Sequence, residues 1–129
     1  MSVLIVSKAK NHYHSISEAI NMAEPGDTIS INPGTYSEKF CINKSLTIEG
    51  GGKSSSIIIK NDRNNILSIN AEKVTVRNLS FLSHNHSAIN ILSGSCRIEK
   101  CHISGSKTGI SVSNKSTCNI EDCIISENQ

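Results

Sequence analysis

Apolar residues in the second half of the chain come in pairs at spacing two, and the pairs return on a fixed period. Val74, Val76, Leu79 and Phe81 form one set; twenty-two residues on stand Cys96, Ile98, Cys101 and Ile103, and twenty-two further Cys118, Ile120, Cys123 and Ile125. A second register runs beside it as Leu67/Ile69, Ile89/Ile91 and Ile110/Val112, the last one residue short through a deletion in the turn after Ile103. Spacing two is the period of a strand, whose successive side chains face opposite ways, and not the 3.6 of a helix. A period in the twenties marks a solenoid, because one turn cannot bury its own apolar face and must stack on the next. Three pairs per turn, parted by short polar corners, predict an all-β fold: a three-sided parallel β-helix of about 22 residues per rung.

The pattern reaches back. Phe40/Ile42, Leu46/Ile48 and Ile57/Ile59 form an earlier rung, and the step from Leu46 to Val74 is twenty-eight rather than twenty-two, the extra six sitting in the run Gly50-Gly51-Gly52-Lys53-Ser54-Ser55-Ser56. An insertion of that composition belongs in a corner. Ahead of it, Val3 to Val6 reads as a strand, and Ser15-Ile16-Ser17-Glu18 has the form of a capping box, with Glu18 reaching back to the helix start. Ile16, Ala19, Ile20 and Ala23 give one apolar helical face, which Pro25-Gly26 ends. A short helix near 16–23 is expected to cover the apolar end of the coil, making residues 1–36 an N-terminal cap and 37–129 the stacked rungs, uncapped at the C-terminal end.

Four runs then carry a family resemblance: Ile16-Ser17-Glu18-Ala19-Ile20, Pro25-Gly26-Asp27-Thr28-Ile29, Pro33-Gly34-Thr35-Tyr36 and Lys44-Ser45-Leu46-Thr47-Ile48-Glu49-Gly50. Together the sequence resembles the opening of the pectin-lyase-like right-handed β-helix superfamily. The rungs Arg97 to Gly105 and Asn119 to Ser126 resemble repeats of its carbohydrate-binding and sugar-hydrolase branch. The resemblance covers nearly the whole chain and implies a right-handed coil. It does not choose a function, since the superfamily includes pectinases, phage tailspikes, periplasmic proteins and F-box adaptors.

Composition narrows the classes. The 129 residues suffice for one domain, and the net charge of +2 comes without a Lys/Arg cluster. With no Trp, two Tyr and two Phe, there is neither a nucleic-acid groove nor a stacking platform for a sugar ring. No apolar run approaches the length of a membrane span, and the N-terminus lacks the form of a signal peptide. A cytoplasmic protein is expected, unless a leader precedes it. Of the five cysteines, Cys96, Cys101, Cys118 and Cys123 take inward positions and read as reduced core thiols, while Cys41 should point outward as the reactive one. The pairs Cys96/Cys118 and Cys101/Cys123 stack one rung apart, close enough to oxidise.

The catalytic sets implied by the resemblance are missing. A pectin methylesterase-like site needs paired aspartates with glutamines and an arginine, yet Gln129 is the only Gln. The Asn-Thr-Asp and Asp-Asp stretches of polygalacturonases do not occur, and Asp27, Asp62 and Asp122 fall on rung positions that do not converge as a calcium site requires. The chain reads as a non-enzyme with no cofactor and no metal. The pair His84 and His86 reads as a solvated corner, with His102 outward on the next rung. Thr75, Arg97 and Asn119 form one outward column, and Arg77, Glu99 and Glu121 another. These residues, with the three histidines, are the candidate binding surface. Ile110, Val112, Cys118, Ile120, Cys123 and Ile125 would be exposed at the open C-terminal end and are the candidate association surface. The expected function is a non-catalytic binding or scaffold module. Its partner would be a protein or a second copy in a homodimer through that end, or a glycan. The competing class is a carbohydrate-active protein, either a glycan-binding module or the N-terminal fragment of a pectinase-like enzyme, and a polymerising structural unit is a third.

Overall fold

The structure, a computed structural model, describes residues 2–9, 11–61, 65–83, 87–105 and 109–126. In chain order its elements are β1 (Val3–Val6), α1 (Ile16–Met22), β2 (Thr28–Ile31), β3 (Gly34–Ser37), β4 (Phe40–Ile42), β5 (Thr47–Gly50), a 3₁₀ turn (Ser54–Ser56) and β6 (Ile57–Asn61). They continue with β7 (Leu67–Asn70), β8 (Val74–Arg77), β9 (Ser80–Ser83), β10 (Ile89–Glu99), β11 (His102–Ser104), β12 (Ile110–Val112), β13 (Ser116–Glu121) and β14 (Ile124–Ser126).

These strands wind into a parallel coil with three sides. The first side stacks β1, β2, β5, β8, the end of β10 and β13. The second stacks β3, β6, β9, β11 and β14, and the third β4, β7, the start of β10 and β12. The register is the one that the apolar period predicts. Val74 lies beside Cys96 and Cys118 beyond it, Phe81 beside Ile103 and then Ile125, and Leu67 beside Ile89 and then Ile110. Stacking begins ahead of residue 37, because the alternating strands β1 and β2 already pair in series with β5.

Corners set the shape. Asn78, Lys100 and Asp122 hold φ of 62°, 51° and 51°, turning the chain between the first and second sides at the same place in three successive rungs. The long corner after β5 is tied down from the rung above: Asn78 Nδ2 donates to the carbonyls of Gly50 (3.1 Å) and Gly52 (2.6 Å), and Ser80 Oγ to that of Ser54 (2.8 Å). β10 instead runs unbroken from the third side onto the first, bending at Gly94, where φ is +88° and a Cβ would collide with the Ala71 carbonyl.

The helix closes one end of the stack. Ile16, Ala19 and Ile20 are buried, and α1 packs on β1, β2 and β4. Ser15 Oγ accepts from the Glu18 amide at 3.1 Å, as the capping box predicts. The second arm differs: Glu38, presented by the corner between β3 and β4, accepts from the amides of Ile16 (2.7 Å) and Ser17 (3.1 Å). A tertiary carboxylate thus takes two orphan amides of the first turn that a capping box leaves unassigned, while Glu18 itself is exposed. At the other helix end, Lys44 Nζ donates to the Ala23 carbonyl at 2.7 Å.

Candidate functional site

Alternation along the first side buries Val76 and Ile98 and turns their neighbours outward. Thr75, Arg97 and Asn119 therefore stand in one column, and Arg77, Glu99 and Glu121 in the next. Arg77 sits between two carboxylates. Its Nη2 and Nε lie 2.8 and 3.1 Å from Glu49 Oε1, and its Nη1 lies 4.0 Å from Glu99 Oε1. Beyond it, Glu99 pairs in register with Glu121, a like-charge step with no ion pair to Glu121 among the described residues. Beside these columns a shallow depression of about 290 Å³ is lined by Lys73, Thr75, Ser95, Arg97 and Asn119. Lys73 and Ser95 were missed in the sequence, although each precedes an inward residue of the repeat by one position.

The histidines do not join this face. His102 is exposed on the second side, between Ser80 of β9 and Ile124 of β14, while His84 and His86 lie outside the described residues. Among the described residues, no group of three or more His, Cys, Asp or Glu is placed to hold a metal ion. Asp62 lies outside the described residues, and Asp27 and Asp122 are far apart along the coil. Asp27 is buried in its first turns, where it accepts from the amides of Glu24 (2.8 Å) and Ser2 (2.9 Å), whereas Asp122 occupies an exposed corner of the last. Those two amides hold the Asp27 carboxyl below its ordinary value. It ties the N-terminal strand to the end of α1.

The opposite end of the coil is different in kind. Ile110, Val112, Cys118, Ile120, Cys123 and Ile125 all fall on the last turn, and Val112, Ile120 and Ile125 are 45%, 45% and 48% exposed. Their counterparts one rung down, Ile91, Ile98 and Ile103, are buried. Among the described residues β12 and β13 pair only with β10, and β14 only with β11, so one edge of each is unpaired. Ile124, outward and 62% exposed, adds apolar surface that the inward pattern did not mark. All five cysteines are free, and Cys41 is exposed as its outward position predicts. Cys96 Sγ donates to Cys118 Sγ at 3.3 Å. This contact, with burial, pushes the Cys96 thiol up; the same contact, acting against burial, holds Cys118 below its ordinary value. Burial pushes the Cys101 thiol up to about 12.

Comparison with known proteins gives three findings. A family model described as right handed beta helix region matches residues 18–129. The frog (Xenopus laevis) protein SHC SH2 domain-binding protein 1 homolog B is 32% identical over 101 residues, which cover 74% of this chain and 14% of that protein. Among solved structures, the rice weevil pectin methylesterase superposes with a TM-score of 0.53 at 19% identity, over 77% of this chain and 51% of the enzyme. The deglycosylated Aspergillus niger pectin methylesterase gives 0.59 at 14% identity, over 98% and 57%. The structural likeness is one of fold, and the chain spans a small part of its frog relative's length.

Proposed function

The chain belongs to the right-handed β-helix family, and on that premise we propose that it is a non-catalytic protein-binding scaffold working through the open end of its coil. The observation that carries this reading is the last described turn, where side chains of the inward register stand half exposed and, among the described residues, one edge of each strand is unpaired. Apolar residues rimmed by unpaired backbone groups favour a further layer of strands as the occupant. A second copy of the chain supplies one. Head-to-tail stacking would meet α1, which covers the other end, whereas a two-fold pairing of open ends closes on itself. The frog relative is named for binding an SH2 domain, and that name favours protein over sugar as the class of partner.

The competing reading, a carbohydrate-active protein, is supported by the fold shared with the pectin methylesterases. Against it, Asp27 holds amides in the first turns while Asp122 stands on a corner of the last, so these two aspartates share no site. Absolute mass by light scattering, over a wide concentration range and under reducing conditions, tests the proposal. A dimer that persists on dilution supports it. A monomer overturns self-association, and a monomer that binds or cleaves polygalacturonate hands the chain to the carbohydrate reading.

A further inference from the structure

We propose that Cys96 and Cys118 are an oxidation site, a dithiol that closes to a disulfide across the last two rungs and staples the final turn to the coil. The inference stands on the geometry of the pair, and the reaction needs the open end uncovered, since Cys118 is reached from there. Register places the two residues side by side on adjacent parallel strands, whose spacing of roughly 4.8 Å falls within the Cα separations a disulfide spans. Both side chains point into the coil, and their sulfurs already meet at 3.3 Å. Closing that gap to about 2.05 Å asks for small rotations and no backbone movement.

The second cysteine ladder shows what an unsuited pair looks like. Cys101 Sγ donates to the carbonyls of Glu99 (3.3 Å) and Val76 (3.9 Å), and Cys123 Sγ to those of Glu121 (3.3 Å) and Ile98 (3.4 Å). In parallel, each of those thiols donates to a carbonyl two residues back in its own rung and to one on the rung below. Access separates the ladders too. Cys118 is half buried on the last turn and reachable from the open end, while Cys96 beneath it is buried. The hydrogen bond from Cys96 favours the thiolate at Cys118, the form that attacks a disulfide.

A low-molecular-weight disulfide such as oxidised glutathione completes the chemistry. The Cys118 thiolate attacks one glutathione sulfur, forming a mixed disulfide and expelling one glutathione thiolate. Cys96 then gives its proton to solvent and attacks Cys118 Sγ, and the second glutathione thiolate leaves and is protonated. Two protein thiols lose two electrons and two protons, and one disulfide is reduced to two thiols. Among the described residues β13 pairs only with β10, so the bond adds a covalent tie to a strand held on one side.

The test is to equilibrate the 129-residue chain in oxidised and reduced glutathione mixtures, block free thiols with N-ethylmaleimide and map the peptides. The expected product is a Cys96–Cys118 linked peptide, lost on reduction, with Cys101 and Cys123 alkylated and the melting temperature raised reversibly on oxidation. Cys96→Ser should trap glutathione on Cys118, whereas Cys118→Ser should leave Cys96 unmodified. Full alkylation of Cys96 and Cys118 after equilibration with excess oxidised glutathione overturns the proposal, as does a Cys101–Cys123 crosslink in its place. The wild-type map decides this even if a variant fails to fold.

Discussion

Asp27 shows how a single side chain works in this fold. Its carboxylate accepts two backbone amides, which hold its folded pKa below the ordinary aspartate value. A depressed carboxyl contributes stability that is present above its unfolded pKa and is lost as pH falls through the folded one. Asp27→Asn should therefore lower the urea midpoint at neutral pH, and the gap to wild type should close as pH drops from about 4 towards 2. A gap that stays constant would mean that the ionised form is not what the amides hold. Lys100 is the counterpart on the corner column. It sits at φ 51° between Asn78 and Asp122, which tolerate the left-handed region better than lysine does. Lys100→Asn should raise unfolding stability by about 0.5–1 kcal/mol, read from urea titration.

At the scale of elements, β10 is the unusual piece. Other rungs break between the third and first sides, but here one strand runs around the corner, so both sides hydrogen-bond into a single nine-stranded sheet. Gly94 makes that possible. Gly94→Ala adds a Cβ against the Ala71 carbonyl at a φ that L side chains rarely adopt. The expected cost is about 2 kcal/mol or more in equilibrium unfolding, with hydrogen exchange accelerated first on both sides of the bend. The helix teaches a related lesson. Its apolar face and Ser15 cap were readable from spacing, but the partner of its first amides was not, because Glu38 is twenty-two residues from Ile16 and reaches it only through the corner after β3.

For the molecule as a whole, position in the stack decides what an inward residue is worth. Ile98 and Ile120 occupy the same column one rung apart, yet the first is fully buried and the second is 45% exposed. Ile98→Asp should abolish cooperative unfolding, costing more than about 4 kcal/mol by placing an unpaired charge in the core. Ile120→Asp should leave the monomer folded within about 1–2 kcal/mol of wild type and remove concentration-independent association. Far-UV circular dichroism with light scattering separates the two outcomes. An Ile120→Asp chain that unfolds as completely as Ile98→Asp would mean that the last turn belongs to the cooperative core.

The sequence by itself determined the strands, their register and the stacking order, because an apolar pair repeated at a constant interval has one way to bury itself, above and below its copies. It also placed the six residues of the open end on a single turn, since they share one rung. What only the tertiary structure decided depends on contacts between residues with no common period. The Glu38 cap, the Asn78 ties to the long corner and the unbroken path of β10 are of this kind. So is the division of the polar candidates, with Thr75, Arg77, Arg97, Glu99, Asn119 and Glu121 gathered on one side and His102 on another. The two cysteine ladders make the point most sharply. Their spacing is identical in the sequence, yet one pair meets sulfur to sulfur and the other turns to backbone carbonyls, because side-chain torsion is set by the packing around each rung and leaves no mark on the period.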